Sequence, residues 1–472
     1  MAPRRVRVVL AALLAGLSAH SAAATERPAR MALEQSLLGR TQLHGLALRG
    51  LPYSPVAQTG AAVSHGPIAM RAWKTVRLDG DGETNVRGNL YPIDADGDGT
   101  MELLHFNGER LMQVLRQDGK TLWRIENPNG KVHRSNVHRD TVAVFDADGD
   151  GRQEVVHCWK TGNGRAMLVM RDGLTGEIER TADLDGSRPA CQIAGFRFEG
   201  EQRPRLFVAH AARKGDGCFH NYLENFSRTV IFDAELNRID EAATCDAGHY
   251  AWPLDEDADG QVEAVFVGKY LLERDGSIRC TLPGWGTDHV DSLAVADIDA
   301  ARPGHEVVAS GRTGVRFYST RNCRPIWEIP ASVLRDPQWL VLARLERGEA
   351  NPSILVHGKG RTGDGTVMLD ANGIIRKIFP DSVIKSYVVQ NADLDGARGT
   401  DEVVGTFGRV WDNAGRLRLD TGWYWNQQPG SRGPLPAYDQ WAYAPLVHDV
   451  DGDGEDEMVV WGRDRLIIGK RD

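Results

Sequence analysis

The chain has 472 residues, 41% hydrophobic and 26% charged, with a net charge of −9. That length exceeds one ordinary globular core, and the composition excludes a disordered chain. The acidic balance disfavours a nucleic-acid surface as the main role. The 52 glycines, with no collagen period, point to many tight turns and so to many short strands.

Residues 1–24 read as a secretory signal peptide. Arg4, Arg5 and Arg7 form the basic start, Val8 to Leu17 the apolar run, and Ala22-Ala23-Ala24 the small residues for cleavage. The run is too short to span a bilayer, and no other segment approaches the necessary length. The expectation is a periplasmic or secreted monomer with no membrane span and no nucleic-acid partner. Residues 25–68 show no repeat character and read as a lead-in. Residues 69–472 read as one repeat domain.

One pattern recurs along that domain. It reads Asp94-Ala-Asp96-Gly-Asp98-Gly-Thr-Met-Glu102, then Asp146-Ala-Asp148-Gly-Asp150-Gly-Arg-Gln-Glu154. It returns as Asp255-Glu-Asp257-Ala-Asp259-Gly-Gln-Val-Glu263 and Asp449-Val-Asp451-Gly-Asp453-Gly-Glu-Asp-Glu457. Looser copies start at Asp297 and Asp393. Two worn units keep only flanking apolar runs, one from Ile193 and one from Leu340. Within the units, Asp118-Gly119, Asp275-Gly276 and Asn372-Gly373 sit between apolar runs, a hairpin signal. A period of roughly 40–60 residues with about four strands per unit predicts an all-β propeller. Eight blades are favoured and seven is the alternative. Ala69 to Leu78 reads as the strand that completes the last blade and closes the ring, removing exposed sheet edges.

Alternate residues of the acidic pattern project carboxylates into one concave loop. Hard oxygen ligands in that number suit structural Ca2+ at several sites. An EF-hand does not fit, because the Glu stands at the ninth position and the flanks are strand-like. The assigned ligands are Asp94, Asp96, Asp98 and Glu102, Asp146, Asp148, Asp150 and Glu154, Asp255, Asp257, Asp259 and Glu263, and Asp449, Asp451, Asp453 and Glu457. Six cysteines in an exported chain suggest disulfides, with Cys218–Cys245 and Cys280–Cys323 plausible by proximity. Cys218, His220, Cys245 and His249 offer a Zn2+ site as a second reading of part of that set.

Innermost strands begin at equivalent places in every blade, so the residues before them form one rim. That rim collects Arg87, His138, Arg139, Cys191, His249, Tyr250, Asp288, His289, Lys385, Tyr387 and Trp441, joined by Arg335 and Trp339. Cations and aromatic faces together suit an acidic carbohydrate. The third unit carries a long insertion from Ala212 to Ser227 with His220 and Tyr222, followed by Arg228; such loops often carry function.

The carboxylate loops with their Val/Ile-rich flanks resemble the FG-GAP and VCBS repeats of calcium-binding propellers. Gly248-His249, Tyr270-Leu-Leu-Glu-Arg-Asp-Gly and the stretch from Asp288-His289-Val-Asp291 through Asp297-Ile-Asp299 to Arg302-Pro303-Gly304-x-Glu306 resemble propeller polysaccharide lyases of the rhamnogalacturonan, ulvan and rhamnose–glucuronate types. The resemblance implies β-elimination on a uronic-acid glycan. It also implies His138 as base, Tyr222 as acid and Arg228 as the cation neutralising the uronate. Arg87, Arg139, His220, His249, Tyr250, His289, Lys385, Tyr387 and Trp441 would bind substrate, with His249, His289 and Arg87 second in rank for catalysis. The alternative is a non-catalytic, calcium-stabilised propeller that binds glycan or protein at the cell surface.

Overall fold

The computed structural model describes residues 67–78, 89–106, 111–129, 142–184, 191–211, 226–245, 248, 251–257, 261–334, 336–345, 351–358, 366–379, 390–392, 394, 402–404, 409–421, 445–453, 455–461 and 465–472. Among these residues every regular element is a strand, and the strands form eight four-stranded antiparallel sheets. No helix among them is long and apolar enough to cross a membrane. Seven sheets use consecutive strands. They are Asn89–Glu126, Val142–Asp183, Cys191–Ala243, Ala251–Thr281, Ser292–Pro330, Pro337–Phe379 and Gln390–Asp420, blades one to seven.

Blade eight joins both parts of the chain. Leu446–His448, Glu457–Trp461 and Arg465–Arg471 supply its first three strands, and Met70–Arg77 supplies the fourth. The closing strand pairs antiparallel with the third, from Met70↔Arg471 to Arg77↔Arg465. The ring is thereby closed by the strand the sequence marks for that purpose, and the edge of blade eight is covered.

Burial follows the position in each blade. First strands such as Val142–Phe145 and Ser292–Ala296 are wholly buried, whereas fourth strands such as Ile178–Asp183 and Arg238–Ala243 are largely exposed. First strands of neighbouring blades touch one another, which puts them at the centre. The apolar core lies between faces of successive sheets. Phe196, Phe207, Phe266, Phe317 and Leu355 belong to one cluster that runs through several blades. Phe317 stacks on Trp327 with centroids 5.0 Å apart. Each such side chain contributes about 1.5–3 kcal/mol through burial.

The blades are also tied covalently. Cys280–Cys323 joins blades four and five, as proximity suggests, and Cys158–Cys191 joins blades two and three. Cys245 is disulfide-bonded as well. That corrects the zinc reading, because an oxidised Cys245 has no thiolate to offer beside Cys218, His220 and His249.

Blades one and two meet closely at Gly173. A Cβ there would lie 2.0 Å from the Gln153 carbonyl oxygen and 2.9 Å from Ile93 Cδ1. The Gly173 carbonyl accepts the Trp123 indole N–H at 2.7 Å. Gly173→Ala should therefore destabilise the chain by about 1–3 kcal/mol through overpacking. A urea midpoint unchanged by that substitution would contradict this packing.

Candidate functional site

Antiparallel order gives the ring two chemically different faces. Connections between strands one and two, and between three and four, lie on one face. Connections between strands two and three, and between successive blades, lie on the other. The four full carboxylate loops all join strands one and two, so they share the first face.

The ninth-position Glu braces its loop from within. Its Oε2 accepts the N–H of the loop's second residue: Ala95 to Glu102 at 3.1 Å, Ala147 to Glu154 at 2.6 Å and Val450 to Glu457 at 2.9 Å. Glu256 N–H donates to Glu263 in the same way. The looser copies keep the brace, with Ile298 and Asp299 donating to Glu306 and Leu394 to Glu402. The first Asp accepts from the turn glycines Gly99, Gly151 and Gly452. Neighbouring loops are stitched together, since Gln153 N donates to Asp94 O and Met101 N to Val450 O.

Three carboxylates per loop bring ligand atoms within 4.8 Å of one another. The sets are Asp94, Asp96 and Asp98; Asp146, Asp148 and Glu154; Asp255, Asp257 and Glu263; and Asp449, Asp451 and Asp453. Asp94 Oδ1 and Asp96 Oδ1 are buried with no hydrogen-bond partner, the condition of oxygens that a cation would satisfy. Each set can hold a metal ion. Asp150 instead turns to Arg152 at 2.9 Å, and Asp259 lies outside the described residues. Glu102 and Glu457 stand outside these sets. Burial is the main cause that pushes Glu154 up to about 8 and Glu457 up to about 7, with nearby carboxylates adding to it.

The opposite face is described in part. Arg87, His138, Arg139, His220, Tyr222, His249, Tyr250, Lys385, Tyr387 and Trp441 lie outside the described residues. The described portion centres on the segment entering blade five. His289 Nε2 lies 3.0 Å from buried Asp291 Oδ1, and His289 Nδ1 lies 3.7 Å from Asp288 Oδ1. Asp288 Oδ2 is buried with no hydrogen-bond partner. With the proton on Nε2, His289 donates to Asp291 and Nδ1 becomes the basic nitrogen, an orientation suited to proton transfer.

The segment is held rigidly. Asp291 N donates to Ser310 O at 2.8 Å, and Lys269 Nζ donates to the Gly286 and Asp288 carbonyls at 3.0 and 3.2 Å. Gly248 approaches so closely that a Cβ would fall 2.3 Å from the Val290 carbonyl oxygen. Lys269 is a site residue that sequence reading missed. Its signal was a lysine in the two-residue turn between paired Val267 and Tyr270, where Gly, Asn or Asp is usual.

Arg228 sits in the third strand of blade three. Its Nε donates to His210 Nε2 at 2.9 Å and its Nη1 to Glu241 at 3.1 Å, while buried Nη2 has no hydrogen-bond partner. Blade two has another Arg–His contact, nearer the carboxylate-loop face, with Arg171 Nε donating to His157 Nε2 at 3.0 Å. Burial first, and then the Arg171 charge, hold His157 down at about 3, so it is a neutral acceptor. Trp339 of the predicted rim is buried in the core.

Comparisons with known proteins find rhamnogalacturonan lyases among the matches. The family model for the rhamnogalacturonan lyase family 11 C-terminal domain matches residues 57–173. Rhamnogalacturonan endolyase YesW of Bacillus subtilis (strain 168) is 25% identical over 296 residues, covering 50% of this chain and 47% of that protein. Rhamnogalacturonan exolyase YesX of the same organism is 25% identical over 279 residues, covering 45% of this chain and 42% of that protein. The chain thus spans about half the length of the curated relatives it matches. The crystal structure of YesW superposes with a TM-score of 0.62 at 20% identity, over 85% of this chain and 76% of that one. The Bacillus licheniformis rhamnogalacturonan lyase PL11 gives 0.61 at 18% identity, over 85% and 76%. At those identities the structural likeness establishes the shared propeller fold.

Proposed function

We propose that the chain is an exported polysaccharide lyase that cleaves rhamnose-containing, uronate-bearing glycans of the rhamnogalacturonan type by β-elimination. The observation that carries this reading is the sequence match: a rhamnogalacturonan lyase family model and two rhamnogalacturonan lyases align with this chain. The rim face, with its imidazole between carboxylates, supplies compatible chemistry. The disulfides support export, since such bonds persist in oxidising compartments.

Elimination needs three groups. A cation neutralises the uronate carboxylate and acidifies the C5 proton. A base removes that proton, its electron pair forms the C4–C5 double bond, and the C4–O bond breaks. An acid protonates the departing oxygen. We assign the carboxylate to Arg228, whose guanidinium is held in place by His210 and Glu241. Tyr222 takes the acid role. His138 is the base that the sequence resemblance suggests, and His289 is a base with a described orienting partner, Asp291. The carboxylate loops of blades one, two and four hold calcium, which pins their turns on the face away from the chemistry. Calcium there supplies charge compensation for crowded carboxylates.

The test is incubation of the protein with rhamnogalacturonan and ulvan in calcium buffer, following the ultraviolet absorbance of an unsaturated uronate. Growth of that absorbance on rhamnogalacturonan is the expected result. Glycan binding with no such product would sink the lyase reading and favour a binding propeller.

A further inference from the structure

The four full loops differ in how their own side chains balance the carboxylate charge. In blade eight, Lys470 lies on the third strand, one step beyond the Met458↔Gly469 pair, and so faces Glu457. Its Nζ is 2.6 Å from Asp451 Oδ2, 2.6 Å from Asp453 Oδ2 and 3.7 Å from Glu457 Oε1. Glu457 is fully buried, and its Oε1 accepts no hydrogen bond. The Lys470 ammonium is the positive charge that faces it. Lys470 is also tied to ring closure, because it pairs with Arg71 of the closing strand and lies 5.2 Å from the Trp73 ring.

Blade two has the opposite arrangement. The residue paired with Glu154 on its third strand is Asp172, another carboxylate. The nearby cation, Arg152, comes from the loop itself; it pairs with exposed Asp150 and lies 3.7 Å from Asp172. Among the described residues, no cation hydrogen-bonds to two ligands of that set as Lys470 does in blade eight. Blade one is intermediate, with Arg116 2.9 Å from Asp96 and 3.9 Å from Glu102. Internal charge balance therefore falls from blade eight to blade one to blade two.

We propose that Lys470 is a built-in cation that takes the place of a divalent ion in the eighth loop. The blade that closes the ring then keeps its turn without metal, whereas loop two depends on one. A divalent ion entering loop eight must displace an ammonium already hydrogen-bonded to two of its would-be ligands, and that competition weakens binding. Both halves of the closing sheet can dock in low calcium, and later calcium binding tightens blade two. The inference rests on the reading that the uncompensated loops bind calcium.

The experiment counts calcium bound per full-length chain by equilibrium dialysis. Lys470→Met should bind one more calcium than the native chain. Asp451→Asn combined with Asp453→Asn, in the otherwise native chain, should leave the count unchanged. Asp146→Asn in loop two should lower it. An Asp451/Asp453 double variant that binds fewer ions overturns the proposal, because loop eight would then hold calcium already. So does a Lys470→Met chain with an unchanged count while Asp146→Asn still lowers it. A native chain that binds no calcium overturns the calcium reading of the loops itself, and this inference with it.

Discussion

His289→Ala should lower the rate of uronate elimination by about two to four orders of magnitude, the usual worth of a positioned acid–base group. The expectation rests on geometry. His289 is flanked by Asp291 at 3.0 Å and Asp288 at 3.7 Å, on a segment clamped by Lys269 and closely approached by Gly248. Such fixing is what preorganised proton transfer requires. The ring lies outside the propeller core, so the chain should stay folded with a modest fall in unfolding midpoint as buried Asp291 loses a partner. Asp291→Asn should cost less and shift the pH profile of kcat/KM, because a neutral amide supports the imidazolium less well than a carboxylate. His138→Ala tests the rival assignment. Full activity in the His289→Ala chain with loss in the His138→Ala chain would move the base to His138.

In calcium-free buffer the chain should lose stability as pH rises from about 5 to 8. Glu154 is pushed up to about 8, mainly by burial, and Glu306 and Glu457 to about 7 for the same main reason. Each folded value lies above the ordinary 4.5 of the unfolded chain. The protonated form therefore contributes stability that is fully present below about 4.5 and is lost as pH rises through the folded value. One pKa unit corresponds to about 1.4 kcal/mol, so Glu154 alone contributes on the order of a few kcal/mol. Calcium in loop two offsets the charge that Glu154 gains in this window. The gain in thermal midpoint on adding calcium should accordingly be small at pH 5 and larger at pH 8, and Glu154→Gln should flatten that dependence. An equal calcium gain at both pH values would contradict the account of these loops.

The fold was legible because each blade repeats the same local instructions. Asp-x-Asp-x-Asp-Gly followed by an apolar run marks the entry to a second strand, and Asp118-Gly119 or Asp275-Gly276 marks the hairpin to a fourth. Even the worn units of blades three and six kept enough alternation around Ile193 and Leu340 to be placed. The closing strand was legible because a ring missing one strand leaves an edge that some segment must cover. The site was less legible, because its chemistry depends on contacts between blades and across strands. The Lys269 contact with the Gly286 and Asp288 carbonyls joins a turn to the entry of the next blade. Lys470 meets Asp451 only through a third strand, and the Arg228–His210 contact crosses two. The Cys158–Cys191 bond joins neighbouring blades that sequence spacing did not single out. His289-x-Asp291 was visible as spacing, but its orientation is set by the carbonyls and glycine around it.

Elimination and hydrolysis differ in whether water enters the product. Digestion of rhamnogalacturonan in water enriched in oxygen-18, followed by mass spectrometry of the fragments, separates the two directly. The account predicts fragments without the heavy oxygen that end in an unsaturated uronate. Fragments that carry the label and a saturated end would contradict it.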